Sequence, residues 1–328
     1  MSPPEGMLAC GPNLEPSGSD KDAMQRDGFV VARNFFSAKQ VQDFSRWTDE
    51  LANAPEVSGS HWVYHEASVA DPALKVMQRI ENFCPFHEGF AALIEHGALR
   101  DWAGALMGGP VLLFKDKINF KMPGGAGFLA HQDQQAGWSV YAPIFVTAMV
   151  SIDATTLENG CLEMQPRHAG EGLIGQEWTP LEDTQVNLVA LPTQPGDVIF
   201  FDSFVPHASK PNLTNQARRV LYLTFNLAQY GDQRARYFAD KHAFHLMSTG
   251  MRISLTYSGS SASTNTDERC ALSCSRRQVG ATIRWRCRYW SGRVASEKLW
   301  CAAHRRTART RGLAWGACDQ RISCGPDT

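Results

Sequence analysis

The chain has 328 residues, 43% of them hydrophobic, and a formal net charge of -1, which bounds it to one or two globular domains. No apolar run approaches the roughly 18 residues a membrane helix needs. The first twenty residues lack the basic start and apolar run of a secretory signal, so a cytoplasmic protein is expected. The charge is unevenly placed. Residues 251–328 carry thirteen Arg and one Lys against five acids, a net of +9, which leaves -10 for the first 250 residues. Six of the nine Cys also lie in that tail. The body holds only Cys10, Cys84 and Cys161, as in an enzyme of a reducing compartment.

In chain order, residues 1–20 read as a disordered leader rich in Pro, Gly and Ser. Residues 28–33 form a short strand, and Ser37 caps a helix over 38–52 with Val41, Phe44 and Leu51 on one face. Residues 61–66 alternate as a strand. Residues 74–83 and 88–107 read as two helices, the second stopped by Gly108-Gly109-Pro110. From 111 the signal turns to β, with strands expected at 111–121, 128–133, 143–152, 161–166, 186–191, 197–202, 207–210 and 219–227. Turns at Leu157-Glu158-Asn159-Gly160 and Pro195-Gly196-Asp197 separate them. Eight strands without a βαβ rhythm predict a mainly β domain over 21–250. Its expected form is a jelly-roll or double-stranded β-helix barrel with helices before it, and such a barrel has a ligand cavity at its mouth.

Beyond about residue 251 no period defines a buried face, and the stretch is expected to be a disordered tail contributing nothing to catalysis. Two other readings exist. Arg284, Trp285, Arg286, Arg288, Tyr289 and Trp290 would suit a nucleic-acid or membrane surface, and Cys270-x3-Cys274 has tolerable zinc-module spacing.

The chemistry centres on His131-Gln132-Asp133. Residues two apart on a strand share a face, so His131 and Asp133 aim at one point, and His207, 74 residues past Asp133, is the candidate third ligand. Two His and one carboxylate leave coordination positions open, as in non-haem Fe(II) oxygenases. Lys115, Lys117 and Asn119 share one strand face. Arg218 and Arg219 open an otherwise apolar strand, and alternation lets only one of them point inward.

Lys115 and Asn119, HQD at 131–133, PRHAGEG at 166–172, PGDVIFFDSFVPHAS at 195–209 and NLTNQARRVLYLTFN at 212–226 together resemble the phytanoyl-CoA dioxygenase family over about residues 24–245. That resemblance implies a double-stranded β-helix binding one Fe(II). It also implies oxidation of a small molecule by O2, coupled to decarboxylation of 2-oxoglutarate to succinate and CO2. It assigns the iron ligands to His131, Asp133 and His207. Arg218, eleven residues after the second His, is matched to the far carboxylate of 2-oxoglutarate, with Lys115, Asn119 and Ser209 as further cosubstrate contacts. Trp138 would wall the substrate pocket, and Gln132, Gln134 and Gln135 would line its rim. The intact Asp133 implies a hydroxylase, since related halogenases replace that carboxylate. His168 matches a non-ligand His.

Within the family, KINFKMPGG followed by HQDQQAGW most resembles members acting on small charged molecules such as 2-aminoethylphosphonate. A small-molecule substrate is therefore expected, with no nucleic acid or membrane partner for the folded domain. Competing readings are a cupin-like metal enzyme that does not use 2-oxoglutarate, and an inactive barrel with an interaction tail.

Overall fold

A computed structural model describes residues 15–95 and 97–248, with side chains through residue 243, and the backbone of 273–279 and 282–288. The described residues divide into two compact units, one running to Phe238 and the other starting at Ala239. Everything that follows about the site concerns the first.

Helix α1 (Gly18–Asp27) opens the described chain, where a leader is expected. Ser17 caps it: its hydroxyl accepts from the Asp20 backbone N–H while the Asp20 carboxylate accepts from the Ser17 N–H, a reciprocal capping box that fixes a helix start. After strand β1 (Phe29–Ala32), Ser37 and Gln40 make the same box for α2 (Ala38–Asn53). Val41, Phe44, Trp47 and Leu51 bury one stripe of it. Strands β2 (Trp62–Ala67) and β3 (Lys75–Glu81) follow, then helices α3 (Glu88–Glu95) and α4 (Ala98–Met107).

Two expectations fail here. Residues 74–83 are not a helix: Leu74, Met77 and Ile80 mimic a helical stripe, but Ile80 pairs with Ile118 across the sheet and Arg79 with Asn119. Strand pairing overrides a weak local pattern. The expected single helix over 88–107 is two, because Gly97 at φ 142° takes a conformation closed to other residues.

The remaining strands are β4 (Val111–Lys121), β5 (Phe128–His131), β6 (Val146–Ser151), β7 (Leu162–Met164), β8 (Val189–Leu191), β9 (Val198–Asp202), β10 (His207–Ser209) and β11 (Arg218–Leu227). They build a seven-stranded sheet, β1-β9-β6-β11-β4-β3-β2, and a four-stranded sheet, β5-β10-β7-β8. This is the expected double-stranded β-helix. Helices α2, α3 and α4 pack on one face of the large sheet around Phe44, Trp102, Ile118, Phe200 and Leu221. On its other face a separate cluster of Met149, Ile199, Phe201, Val220 and Tyr222 meets Leu162 and Met164 of the small sheet. The sheets' facing surfaces thus form the barrel interior, and period-2 alternation decides which residues enter it.

Helix α5 (Arg234–Ser248) closes the described run after β11. Of the tail, the structure describes the backbone of an antiparallel pair, β12 (Ser273–Val279) with β13 (Thr282–Arg288), where no element is expected. Cys274 of the zinc reading and Arg284, Trp285, Arg286 and Arg288 of the nucleic-acid reading fall on this pair, of which the backbone alone is described; Cys270, Tyr289, Trp290 and the leader before residue 15 lie outside the described residues. No helix among the described residues is long and apolar enough to cross a membrane.

Candidate active site

His131 ends β5, and its Cα partner across the small sheet is His207, the first residue of β10. Gln132 stays extended, at φ -109° and ψ 134°. Asp133 therefore projects beside His131, two residues on, before the chain turns into a short 3-10 helix, Asp133–Ala136. Ligand atoms of the three side chains all lie within 4.8 Å of one another. Asp133 Oδ1 is 4.0 Å from Nε2 of both His131 and His207.

Backbone carbonyls orient both histidines. His131 Nδ1 lies 2.7 Å from the Leu129 carbonyl and His207 Nδ1 lies 2.9 Å from that of Val205. A carbonyl only accepts, so Nδ1 carries the proton and the Nε2 lone pair is left for a metal. Burial holds both imidazoles below their ordinary pKa, which keeps them in the neutral, ligating form. Burial works to raise the Asp133 carboxyl, but the positive charge facing it, from His207 when protonated and from Lys117, keeps it below the usual range. Two neutral imidazoles and an ionised carboxylate, converging from one side, fit a divalent iron with positions to spare. Among the described residues this is the one such cluster of three.

Deeper in the barrel, β4 and β11 pair so that Lys121 faces Arg218 and Lys117 faces Tyr222. Arg218 is buried, at 3% exposure. Its Nη2 donates to the Gly160 carbonyl at 2.7 Å, while its Nε has no partner. Burial lowers its pKa, and Tyr222 partly offsets this. Lys121 donates to the same Gly160 carbonyl at 3.1 Å, to Ser209 Oγ at 2.8 Å and to the Lys210 carbonyl. Burial and then Arg218 push its pKa down to about 7. Gly160 is irreplaceable here: at φ 72°, a Cβ would sit 2.0 Å from the Lys210 oxygen and 2.8 Å from Lys121 Nζ. A buried guanidinium with an open Nε–H beside a hydroxyl suits a carboxylate. Sequence reasoning missed Lys121, although it simply continues the Lys115, Lys117, Asn119 row by one more step of two.

Arg219 takes the opposite face. Its Nε and Nη2 bind the Asp153 carboxylate at 2.8 Å each, and it also reaches Asp49 and Ser45 of α2.

Other expected contacts fall elsewhere. Lys115 does not join the Arg218 cradle: its register partner is Thr224, six residues along β11, about 20 Å at strand rise. There its Nζ lies 3.7 Å from Glu81 and above the rings of Trp138 and Tyr237. Asn119 lies one inward step from Lys121, buried, with Oδ1 unpartnered. Gln132 does not line a pocket rim. It is 1% exposed, its amide donates to the Gly172 and Phe204 carbonyls, and its oxygen accepts from the Ile174 N–H. Alternation turns it away from its two neighbours, and it pins the 168–174 loop. Gln135 likewise donates to the Gln176 and Thr179 carbonyls. Gln134 is buried, with its side-chain oxygen unpartnered. Trp138 is buried in an aromatic cluster with Phe114, Phe145 and Tyr237. His168 contacts Gln132 and the Gly172 carbonyl and is no part of the metal cluster.

A two-sheet barrel carrying two His and one carboxylate at one point defines the class of non-haem metal oxygenases. Residues 24–220 match the phytanoyl-CoA dioxygenase (PhyH) family. Methylphosphonate hydroxylase of Gimesia maris is 36% identical over 233 residues, 70% of this chain and 88% of that protein. The 2-aminoethylphosphonate dioxygenase of uncultured bacterium HF130_AEPn_1 is 36% identical over 235 residues, 67% and 86% of the two. The crystal structure of EctD from S. alaskensis with 2-oxoglutarate and 5-hydroxyectoine shares the fold. Its TM-score is 0.55 at 24% identity, over 66% of this chain and 77% of that one. The chain belongs to the phytanoyl-CoA dioxygenase family. It is an Fe(II)- and 2-oxoglutarate-dependent dioxygenase.

Proposed function

We propose that the chain hydroxylates a C–H bond of a small phosphonate, with His131, Asp133 and His207 as the iron ligands and Arg218 and Ser209 as the cosubstrate's far-carboxylate contacts. The observation that carries this is the convergence of the three ligand atoms within 4.8 Å in the barrel that also buries Arg218 with Nε unpaired. The two relatives at 36% identity, both named for phosphonates, support the substrate class. Bound there, Fe(II) and 2-oxoglutarate supply the oxidising chemistry, placing one atom of O2 in succinate and the other in the substrate hydroxyl with loss of CO2.

The chain's own part is positioning. The Leu129 and Val205 carbonyls fix the imidazole tautomers. Lys121 donates to Ser209 Oγ, so the Ser209 hydrogen is left to point at a ligand oxygen. Phe201 and Tyr222, buried on the inner face, keep water from the space between.

An anaerobic titration tests this. Fe(II) with 2-oxoglutarate is expected to give a metal-to-ligand charge-transfer band, and methylphosphonate or 2-aminoethylphosphonate to stimulate succinate formation. Metal binding without a band would favour the cupin-like alternative, which has no use for Arg218. A band with no phosphonate response would leave the dioxygenase and remove the substrate.

A further inference from the structure

Four polar side chains of β4, Lys115, Lys117, Asn119 and Lys121, stand two apart on the strand that faces Arg218, Val220, Tyr222 and Thr224 of β11. Three of the four are cations, and two of those are answered. Lys115 has Glu81 and the Trp138 and Tyr237 rings. Lys121 has the Gly160 and Lys210 carbonyls and the Ser209 hydroxyl. Arg79, in register with Asn119 on the neighbouring strand, pairs with Glu81 at 3.1 Å and stacks on Tyr64. Lys117 has neither a hydrogen bond nor an ion pair among the described residues. Its Nζ lies 4.5 Å over the Tyr222 ring, and a ring face supports a cation without neutralising it.

Lys117 also stands beside the metal cluster: the Tyr222 ring under its ammonium packs in one cluster with Phe201, whose ring lies 5.1 Å from that of His207. It is four residues from Lys121, roughly 13 Å along the strand, and so lies outside the Arg218 cradle. At this end of the barrel Glu81 is shared between Arg79 and Lys115, and Asp133 belongs to the ligand set. A site holding a divalent cation beside an unanswered lysine carries surplus positive charge. Burying unpaired charge is costly, so the group that completes the site is an anion.

Building on the phosphonate reading above, we infer that Lys117 is the specificity-determining residue of the substrate site and that its ammonium pairs with the substrate's oxyanion group. The Tyr222 ring lies under the ammonium, and Lys115 and Asn119 flank Lys117 on the same row. An ammonium is a compact point charge with three donors, suited to the tetrahedral oxygens of a phosphonate. A neutral substrate of the same size would leave the charge unanswered.

The test uses the full chain loaded anaerobically with Fe(II), and calorimetry with methylphosphonate and, separately, with 2-oxoglutarate. Lys117→Met keeps the stem and removes the charge, and Lys117→Arg keeps the charge. The Met variant is expected to lose about 30-fold or more in methylphosphonate affinity, the scale of truncating one side of a buried charge pair. Its 2-oxoglutarate affinity should stay within a few-fold, and the Arg variant should recover much of the loss. Unchanged methylphosphonate binding in a folded Met variant overturns the inference and leaves the phosphonate reading standing. A loss confined to 2-oxoglutarate reassigns Lys117 to the cosubstrate and also overturns it. A wild type that binds no phosphonate but binds a carboxylate or sulfonate of similar size removes the phosphonate reading, and the same variants then decide Lys117 on that anion. Binding of no small anion overturns both. Should the Met variant fail to fold, wild-type affinity for dimethyl methylphosphonate, the uncharged ester, decides: equal binding of ester and free acid overturns the inference.

Discussion

Arg218 and Arg219 are consecutive in β11, and the sheet sends them to opposite faces. On the helix-packed face Arg219 is closed off, with two donors on Asp153 and others on Asp49 and Ser45. Its pKa is raised, chiefly by the Asp153 bond. Inside the barrel Arg218 meets a carbonyl, a tyrosine and, among the described residues, no carboxylate, and burial lowers its pKa. One arginine is satisfied by the fold itself. The other is held at a cost in folding free energy, which is how a protein keeps binding energy available for a ligand. The same contrast runs along β4, where Asp116 on the outer side is fully buried between Arg234 and the Cys84 N–H, while Lys117 on the inner side has only a ring.

The inner face should therefore answer to function and the outer face to stability. The largest effect is expected at the ligand set. Asp133→Ala or His207→Ala should abolish Fe(II) binding and turnover with little change in the thermal midpoint, because removing a buried titratable group also relieves its desolvation. An unfolded variant would show that these residues are structural as well.

Next comes the arginine pair. Arg218→Ala should weaken 2-oxoglutarate by about 2–5 kcal/mol, the cost of leaving a buried carboxylate unpaired. That is roughly 30- to several-thousand-fold at 1.4 kcal/mol per decade, with Fe(II) affinity near normal. Arg219→Ala should cost about 1 kcal/mol of stability and leave the cosubstrate constant alone. The reverse outcome would mean that the barrel register is off by one, and every inner residue from 218 to 226 would need reassignment.

Much of this arrangement is legible in the sequence, for a physical reason. Strand alternation has a period of two, so naming His131 also places Asp133 beside it, and the choice between Arg218 and Arg219 follows once one strand's register is known. The same rule argues against Gln132, flanked by both ligands and therefore turned away. Lys121 was readable as one more step of the inner row, but its role depends on Gly160, thirty-nine residues on, and no local pattern carries that. The 74–83 segment resembles a helix because a seven-residue strand such as β3 can present a helical stripe by chance. Only its pairing with β4 settles it. The break at Gly97 was visible in principle, as a glycine within a helical run.

A core substitution sharpens the comparison from the other side. Leu221, fully buried among the helix-face residues, sits between Val220 and Tyr222 of the inner face. Leu221→Ala should cost about 2–5 kcal/mol through lost burial and a cavity. At roughly 2–4 °C per kcal/mol for a domain of this size, the midpoint should fall by about 4–20 °C. The 2-oxoglutarate constant of the folded protein should hold. A large change in that constant would show that the two faces are mechanically coupled.

The last expected effect is a pH dependence at Lys121. Burial, with Arg218 beside it, brings its pKa down from 10.5 to about 7. The unfolded chain therefore keeps a proton that the folded chain releases between about 7 and 10.5, and stability contributed by this group rises with pH across that window. Below pH 7 the lysine is charged in both states and its burial penalty is fully present. The thermal midpoint of wild type relative to Lys121→Met should climb as pH goes from 7 to 10 and stay level from 6 to 7. Three oxygen acceptors around Nζ pull the other way, since only the ammonium has three hydrogens to give. A difference that stays flat up to pH 10 would mean those acceptors outweigh burial and Lys121 remains charged beside Arg218. A bound carboxylate favours the same charged form, so saturating 2-oxoglutarate should flatten the climb, whereas methylphosphonate, placed at Lys117, should not.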